Sequence, residues 1–389
     1  MKKKKILYVH HGQSEGGAPR SLAFLIQKLD KEKYKPIVLC MYDENNIKLF
    51  ESVGAKVILD KKMRPFHGST VSGMDLDIFV RNIIGAYPTY FKIKHYIKKI
   101  KPDLIHLNSS SLFMGAKAAK KVLPFVPVIV HIREPLLKNI FGEILRKMNQ
   151  KYADAYVAID QNDLDSMKPN NKNCKVIYNF VDFNVYNPTI ASNILRKELN
   201  IKNDQIIFLY LARIARSNGT FELIEEAVKV TKDHPNYFFV IVGDDSNDKS
   251  TYTERVRKLA KLSENIRIIP FRDDIPNVIS SADVMVCPFI EPHFSRAIIE
   301  GASMGIPSIG SNIGGVNELI KPGITGELFD YTNFADFTNK CLNLGEDLEL
   351  RQYMGKNAYD FAKEKFDSVK NAEETFSLYE ELLRNKNEN

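Results

Sequence analysis

Three short segments combine residue types that suit phosphate binding. The first is HHGQSEGGAPRSL (10–22), where Gly16 and Gly17 lie in a turn between a strand-like run and a helix-like run, with Pro19 placed for the first helical turn. Glycines let a ligand approach the backbone, and a helix N-terminus favours an anion. The G-x-G-x-x-G spacing of dinucleotide sites is absent, and an ordinary glycine turn reads the same way. The second segment is LARIARSNGTFELIEEA (211–227). Arg213 sits just past a buried strand, Arg216 lies in the loop, and Gly219 precedes a helix. Guanidinium forks can clamp phosphates bidentately, although a solvated loop charge is the plain alternative. The third is CPFIEPHFSRAIIEGASMGIPSIGSNIGGVNELI (287–320). Glu291 lies in the loop after a strand, Phe294, Ser295 and Arg296 stand at a helix N-terminus, and Glu300 follows inside that helix. Exposed N–H groups there suit a diphosphate, and a carboxylate one turn further in can accept hydrogen bonds from ribose hydroxyls. Gly314 and Gly315 in SNIGG (311–315) supply more backbone donors.

A basic stretch, KIKHYIKKIKP (92–102), carries Lys92, Lys94, Lys98, Lys99 and Lys101 with apolar Ile93, Tyr96, Ile97 and Ile100 between them. Basic amphipathic helices attract anionic membrane surfaces; a solvated helix face is the alternative, and the same holds for KKKK (2–5). Nucleic acid is a competing anionic partner, but no binding motif for it is present, so none is expected. Paired His/Cys metal ligands and a Gly-x-Ser-x-Gly nucleophile are absent.

These segments need elements to position them. Strand-like runs rich in Val, Ile and Leu fall at 6–10, 36–41, 55–59, 103–107, 127–132, 155–159 and 175–178, with amphipathic stretches between. The rhythm repeats at 205–212, 237–243, 266–269, 283–289 and 307–310. Short apolar runs of this kind are strands buried on both faces of a parallel sheet. Two strand–helix series make two doubly wound α/β domains, assigned to 1–182 and 183–367, with a last amphipathic helix over 368–389. The length of 389 residues fits two such domains. Residues 61–75 read as a long loop.

Composition excludes other classes. With 44% hydrophobic residues the chain is too apolar for disorder. Cys40, Cys174, Cys287 and Cys341 are too scattered for a disulfide framework, which fits a reducing cytoplasm. No run reaches the roughly 18 apolar residues of a membrane span, and the apolar run after the basic start is too short for a signal peptide. The net charge of +7 divides unevenly: residues 1–180 hold 31 Lys+Arg against 16 Asp+Glu, the remainder 24 against 32. The two halves therefore face different partners.

On GGAPRSL, NFVD (179–182), LARI with Arg213, VGDD (242–245), ADVMVCPF (282–289), the Glu291–Glu300 segment, GGVNEL (314–319) and GITGELF (323–329), the chain resembles the family 4 retaining glycosyltransferases. Their GT-B architecture sets two Rossmann-like domains facing a central cleft, with the acceptor in the first and the nucleotide-sugar in the second. The resemblance implies that Arg213 holds the donor diphosphate, Glu300 binds the ribose, and Phe294, Ser295 and Arg296 offer backbone amides. It places Gly16 and Gly17 against the donor phosphate and His131, ending PVIVHIREP, against the transferred sugar. It implies a hexosyl transfer with no metal and no cofactor beyond a nucleotide-sugar co-substrate, a UDP-sugar by family habit. It also implies a glycan or lipid-linked hydroxyl acceptor of cell-surface synthesis, and a cytoplasmic site that could lie at the inner face of the membrane.

Two positions depart from the family. Asn218 stands where it has a lysine, so one phosphate-binding cation is missing; Arg296 or Arg216 is expected to supply it. Glu291 and Glu300 have eight residues between them where the family has seven, so Glu291 must be reached through a local bulge. Asp75-Leu76-Asp77 and Asp163-Leu164-Asp165 spell the Asp-x-Asp metal motif of the other major glycosyltransferase fold. Both read instead as helix starts, where acids suit the dipole. Two other readings remain: a non-catalytic GT-B-like binding subunit, and a nucleotide-sugar epimerase.

Overall fold

A computed structural model describes residues 3–12, 17–70, 76–170 and 173–388, and divides the chain into two units. The first takes in residues 1–179 and 369–389, the second 180–368. The boundary thus falls three residues before the expected one.

In the first unit, β1 (Lys4–His10), β2 (Tyr34–Cys40), β3 (Lys56–Leu59), β4 (Leu104–Leu107), β5 (Val128–Ile132), β6 (Ala155–Ala158) and β7 (Asn173–Val176) form one sheet in the order β3-β2-β1-β4-β5-β6-β7. Every pairing in it is parallel. Successive side chains on a strand point to opposite faces, and β1 shows the result. Leu7 and Val9 enter one core with Ile105, Val130 and Leu145, while Ile6 and Tyr8 enter another with Leu22, Ile26 and Val157. Burial on both faces explains why the strands read as unbroken apolar runs.

The second unit repeats the scheme. Strands β8 (Ile206–Leu211), β9 (Tyr237–Asp244), β10 (Ile266–Pro270), β11 (Val284–Cys287), β12 (Ser308–Ser311) and β13 (Gly326–Phe329) form a parallel sheet in the order β10-β9-β8-β11-β12-β13. The sequence reading missed β13, because GELF carries a glycine and a charge in a four-residue run. It is an edge strand and only its ends are buried.

The order reverses between β1 and β4 in one sheet and between β8 and β11 in the other. Open parallel sheets bind ligands outside the strand carboxyl ends at such reversals. The phosphate-suited segments leave three of these four strands: HHGQSEGGAPRSL follows β1, the Arg213 loop follows β8 and the Glu291 loop follows β11.

Two expectations are revised. The basic helix begins at Leu76 and runs to Ile100, so Lys92, Lys94, Lys98 and Lys99 occupy only its second half, and Lys101 lies past its end with φ +50°. Of the KKKK run, Lys4 and Lys5 belong to β1, and the Lys5 ammonium donates to the Ile100 carbonyl at 2.8 Å rather than lying on an open basic face. It caps an orphan carbonyl at that helix's end.

The terminal helix, Ser368–Glu388, packs on the first unit, placing Leu378, Tyr379, Leu382 and Leu383 beside Ile6, Tyr8 and Leu22. Being acidic, it trims the charge contrast. The first unit holds 34 Lys+Arg against 21 Asp+Glu, and the second 21 against 27. Leu378 is fully buried, so Leu378→Ala should cost about 2–5 kcal/mol in urea unfolding. A loss below about 1 kcal/mol would mean the helix is not part of this core.

Candidate functional site

The second unit's reversal point is built from two loops pressed together. Gly219 has φ +65°, and a Cβ there would stand 1.9 Å from the Pro288 carbonyl oxygen. Only glycine fits, both for its conformation and for the space. Close by, the Ile290 N–H donates to the Ser217 carbonyl at 3.0 Å. Backbone at Arg213 is held from two sides, since the Tyr210 hydroxyl and the Asn218 amide donate to its carbonyl at 2.8 and 3.0 Å. Arg213 itself is exposed. Arg216 lies 6.0 Å over the Tyr252 ring. The buried Asn218 therefore serves the loop's own shape, with its carboxamide turned inward.

The loop after β11 carries Glu291, Phe294 and Ser295. It is pinned at Ile290, as above, and at His293, whose N–H donates to the Gly314 carbonyl at 3.0 Å. Glu291 is exposed between these pins. The extra residue before Glu300 thus lies in loop rather than in a bulged strand. His293 was not singled out in the sequence. Its ring packs 4.6 Å from that of Phe289, and burial first, then the charge of Arg213, pulls its pKa down to about 4. It is a neutral imidazole at physiological pH.

Helix Arg296–Ser303 opens without a side-chain cap: Ser295 is the N-cap residue, but its hydroxyl turns to the Cys287 sulfur at 3.6 Å. The first-turn amides therefore lack a capping side chain at the end where the helix dipole favours an anion. Inside the helix, Arg296 Nε donates to the Glu300 carboxylate at 3.2 Å, and Nη2 to the Phe180 carbonyl at 3.4 Å. Glu300 is 8% exposed. A carboxylate has about four acceptor positions, so the pair with Arg296 does not use up its capacity. Gly315, with φ +86°, opens the short turn Val316–Glu318 beside Gly314. The structure thus brings Arg213, Arg216, Phe294–Arg296, Glu300 and Gly314–Gly315 to one sheet edge.

The first unit's reversal point carries a polar network. Arg133 Nε donates to Asn108 Oδ1 at 2.9 Å, and Asn108 Nδ2 lies 3.0 Å from His10 Nδ1. His131 Nδ1 lies 3.2 Å from His106 Nε2 and 3.4 Å from Arg133 Nη2. His106 Nδ1 lies 2.6 Å from the Tyr379 hydroxyl. Arginine can only donate, so His131 Nδ1 accepts. His106 Nε2 then donates to it, and His106 Nδ1 accepts from Tyr379. That leaves the proton of His131 on Nε2, a buried atom with no hydrogen-bond partner among the described residues. Burial, then Arg133, then His106 hold His131 well below its ordinary pKa. It is arranged as a neutral donor rather than as a base. Tyr379 could not be connected to His131 from sequence, because 248 positions separate them.

Gly16 and Asp75 lie outside the described residues, while Gly17 opens the helix Gly17–Lys28. Asp163 lies in the first turn of helix Gln161–Met167, its N–H accepted by Asp160. Lys92 is ion-paired to Asp60 at 2.7 Å, and Lys94 lies over the Tyr90 ring; Lys98, Lys99 and Lys101 are exposed. Among the described residues no group of three His, Cys, Asp or Glu side chains is placed to hold a metal.

Two wholly parallel α/β units with their reversal points so furnished define the GT-B fold. Anabaena HepE, solved with UDP, shares it at a TM-score of 0.80 and 20% identity, over 97% of this chain and all of that one. Residues 15–185 match the model of Glycosyltransferase Family 4, and residues 192–361 that of Glycosyl transferases group 1. The chain belongs to the family 4 glycosyltransferases. It is 26% identical to the Escherichia coli UDP-Gal:alpha-D-GlcNAc-diphosphoundecaprenol alpha-1,3-galactosyltransferase, over 93% of this chain and 95% of that one. It is 31% identical to the putative glycosyltransferase YtcC of Bacillus subtilis, over 55% of this chain and 56% of that one.

Two outcomes follow from this geometry. Gly219→Ala should separate the two loops and lower stability by about 1–3 kcal/mol in urea unfolding; an unchanged midpoint would mean the approach to Pro288 is not close. The second concerns pH. In the unfolded chain histidines titrate near 6.5, whereas burial lowers His106 to about 3 and His11 to about 4. Between those values the unfolded chain binds more protons, so stability is complete above about pH 6.5 and falls as pH drops, by roughly 1.4 kcal/mol per unit per histidine. Urea midpoints at pH 7, 6 and 5 should show this fall, and His106→Gln should make it shallower by one histidine's share.

Proposed function

We propose that this glycosyltransferase moves a hexosyl group from a UDP-sugar to a hydroxyl of a glycan or lipid-linked acceptor, with retention at the anomeric carbon and no metal ion. The observation that carries the reading is the uncapped N-terminus of helix Arg296–Ser303 beside the exposed Arg213, at the reversal point of the second sheet. Uncapped amides and a guanidinium stabilise the charge that grows on a leaving diphosphate. Glu300, already fixed in direction by Arg296, is the acceptor for the ribose hydroxyls. The bond from the anomeric carbon to the phosphate oxygen breaks, and a bond to the acceptor oxygen forms on the same face. The departing phosphate takes the acceptor's proton, so no protein nucleophile is needed. His131, a neutral Nε2–H donor, suits a sugar hydroxyl.

The relatives support the donor class: the Escherichia coli protein is named for UDP-Gal, and HepE is solved with UDP. That relative's diphosphoundecaprenol acceptor supports a lipid-linked acceptor in cell-surface polysaccharide or glycolipid synthesis, made at the cytoplasmic side of the membrane. Arg216 is the better replacement for the missing lysine, because Arg296 is already engaged by Glu300 and Phe180.

Calorimetric titration with UDP and UDP-sugars tests this. Arg213→Ala should weaken UDP binding roughly 10–100-fold, the value of one charge-assisted contact, and Arg216→Ala should weaken it more than Arg296→Ala. Wild-type affinity in all three variants would reject the assignment. Donor binding with neither hydrolysis nor transfer would favour the non-catalytic reading that the inward-turned Asn218 motivates.

A further inference from the structure

The helix Leu76–Ile100 buries one face and leaves an apolar one open. Asn82, Thr89, Ile93, Ile97 and Ile100 point into the first unit. Leu76, Val80, Ile83, Ile84, Tyr87 and Phe91 do not: they are 43–77% exposed. At 100° per residue these six fall within an arc of about 100°, along roughly 22 Å of helix. Single exposed apolar residues are ordinary, but a continuous stripe marks an interaction surface. The patch widens sideways, because Phe79 meets Phe141 edge to face at 5.4 Å. Phe141 belongs to helix Ile140–Tyr152, whose Ile140 is 70% exposed.

Charge continues the stripe. Lys94 and Lys98 fall in the same arc of the helix, just past Phe91. Lys147, on the neighbouring helix, has 72% of its side chain exposed and pairs loosely with Glu143 at 3.8 Å. Asp77, an acid near the start of the stripe, lies 3.4 Å from Arg81. The unit as a whole carries the 34-to-21 excess of Lys+Arg. An apolar face that runs into cations along one helix complements a surface that is apolar within and anionic outside.

We infer that this face seats the first unit on an anionic bilayer surface, with the stripe from Leu76 to Phe91 entering the headgroup boundary and Lys94 and Lys98 meeting lipid phosphates. The occupant is a lipid surface rather than a second copy of the chain, because a basic unit meeting itself would juxtapose like charges. The five-lysine face expected from sequence is thereby reduced and moved: Lys92 is spent on Asp60, and the apolar residues come first. The inference deepens the membrane-side location proposed above and rests on that reading. Its test contains no nucleotide, so it can fail while donor binding stands, and the reverse.

The experiment is sedimentation of the full chain with vesicles of phosphatidylcholine, with or without phosphatidylglycerol, read beside size-exclusion light scattering. Wild-type protein should pellet with the anionic vesicles and release with salt. The Ile84→Glu/Tyr87→Glu variant should lose binding roughly tenfold or more, and Lys94→Glu/Lys98→Glu should lose at least about fivefold per lysine. Both variants should keep the wild-type Tm, since these side chains are outside the core. Equal binding to neutral vesicles, no binding by wild type, or unchanged binding by folded variants would each overturn the inference. So would a wild-type dimer that the Ile84→Glu/Tyr87→Glu variant dissociates while vesicle binding is unchanged, which would assign the face to a second copy.

Discussion

Each sheet is parallel throughout, so every strand delivers its carboxyl end to the same edge. A parallel strand cannot be followed by a tight hairpin, and the chain must return through a crossover. Every strand therefore hands one loop to a common rim. At the point where the strand order reverses, the loops of the two adjoining strands come side by side, and open parallel sheets bind their ligands outside the strand ends there. In the second unit this is where Gly219 comes against Pro288, and where Ile290 and His293 are tied to Ser217 and Gly314. What binds there is decided by which residues the loops carry. That is why Arg213 and the uncapped helix matter more than the sheet itself.

The second unit is net acidic, yet its reading requires it to hold a diphosphate. The contradiction dissolves at short range. Opposite charges at contact, and amides at a helix end, act over a few ångströms, while the unit's other charges are screened beyond about 8–10 Å at physiological salt. The charge of Arg213 reaches its neighbour His293, adding to the burial that already lowers that imidazole's pKa. Much of the unit's charge is also neutralised in pairs, such as Arg257 with Asp244 and Arg272 with Glu198 and Asp274.

Legibility in the sequence followed burial. Strands such as ILYVH and YFFVIVG announced themselves because both faces are covered, and the phosphate-suited loops could be placed because they follow those strands. Glu300 and Arg296 could be named, but not their mutual ion pair. The four-residue edge strand β13 escaped because only its ends are buried. The stripe from Leu76 to Phe91 was hidden for the opposite reason: apolar residues on all sides, interrupted by Pro88, have no period that separates a covered face from an open one. Tyr379 escaped because nothing local records a partner more than two hundred residues away.

That last contact has a consequence for synthesis. Residues 1–179 cannot complete their second core until Leu378, Tyr379 and Leu382 have been made. The second unit is continuous in the chain and can close as soon as residue 368 leaves the ribosome. Domains ordinarily finish in the order of translation; here the unit begun first is finished last. Until its final helix arrives, the apolar side chains of β1 and of helix Gly17–Lys28 that this helix covers stay open, so the chain depends longest on protection from aggregation at the end it made earliest.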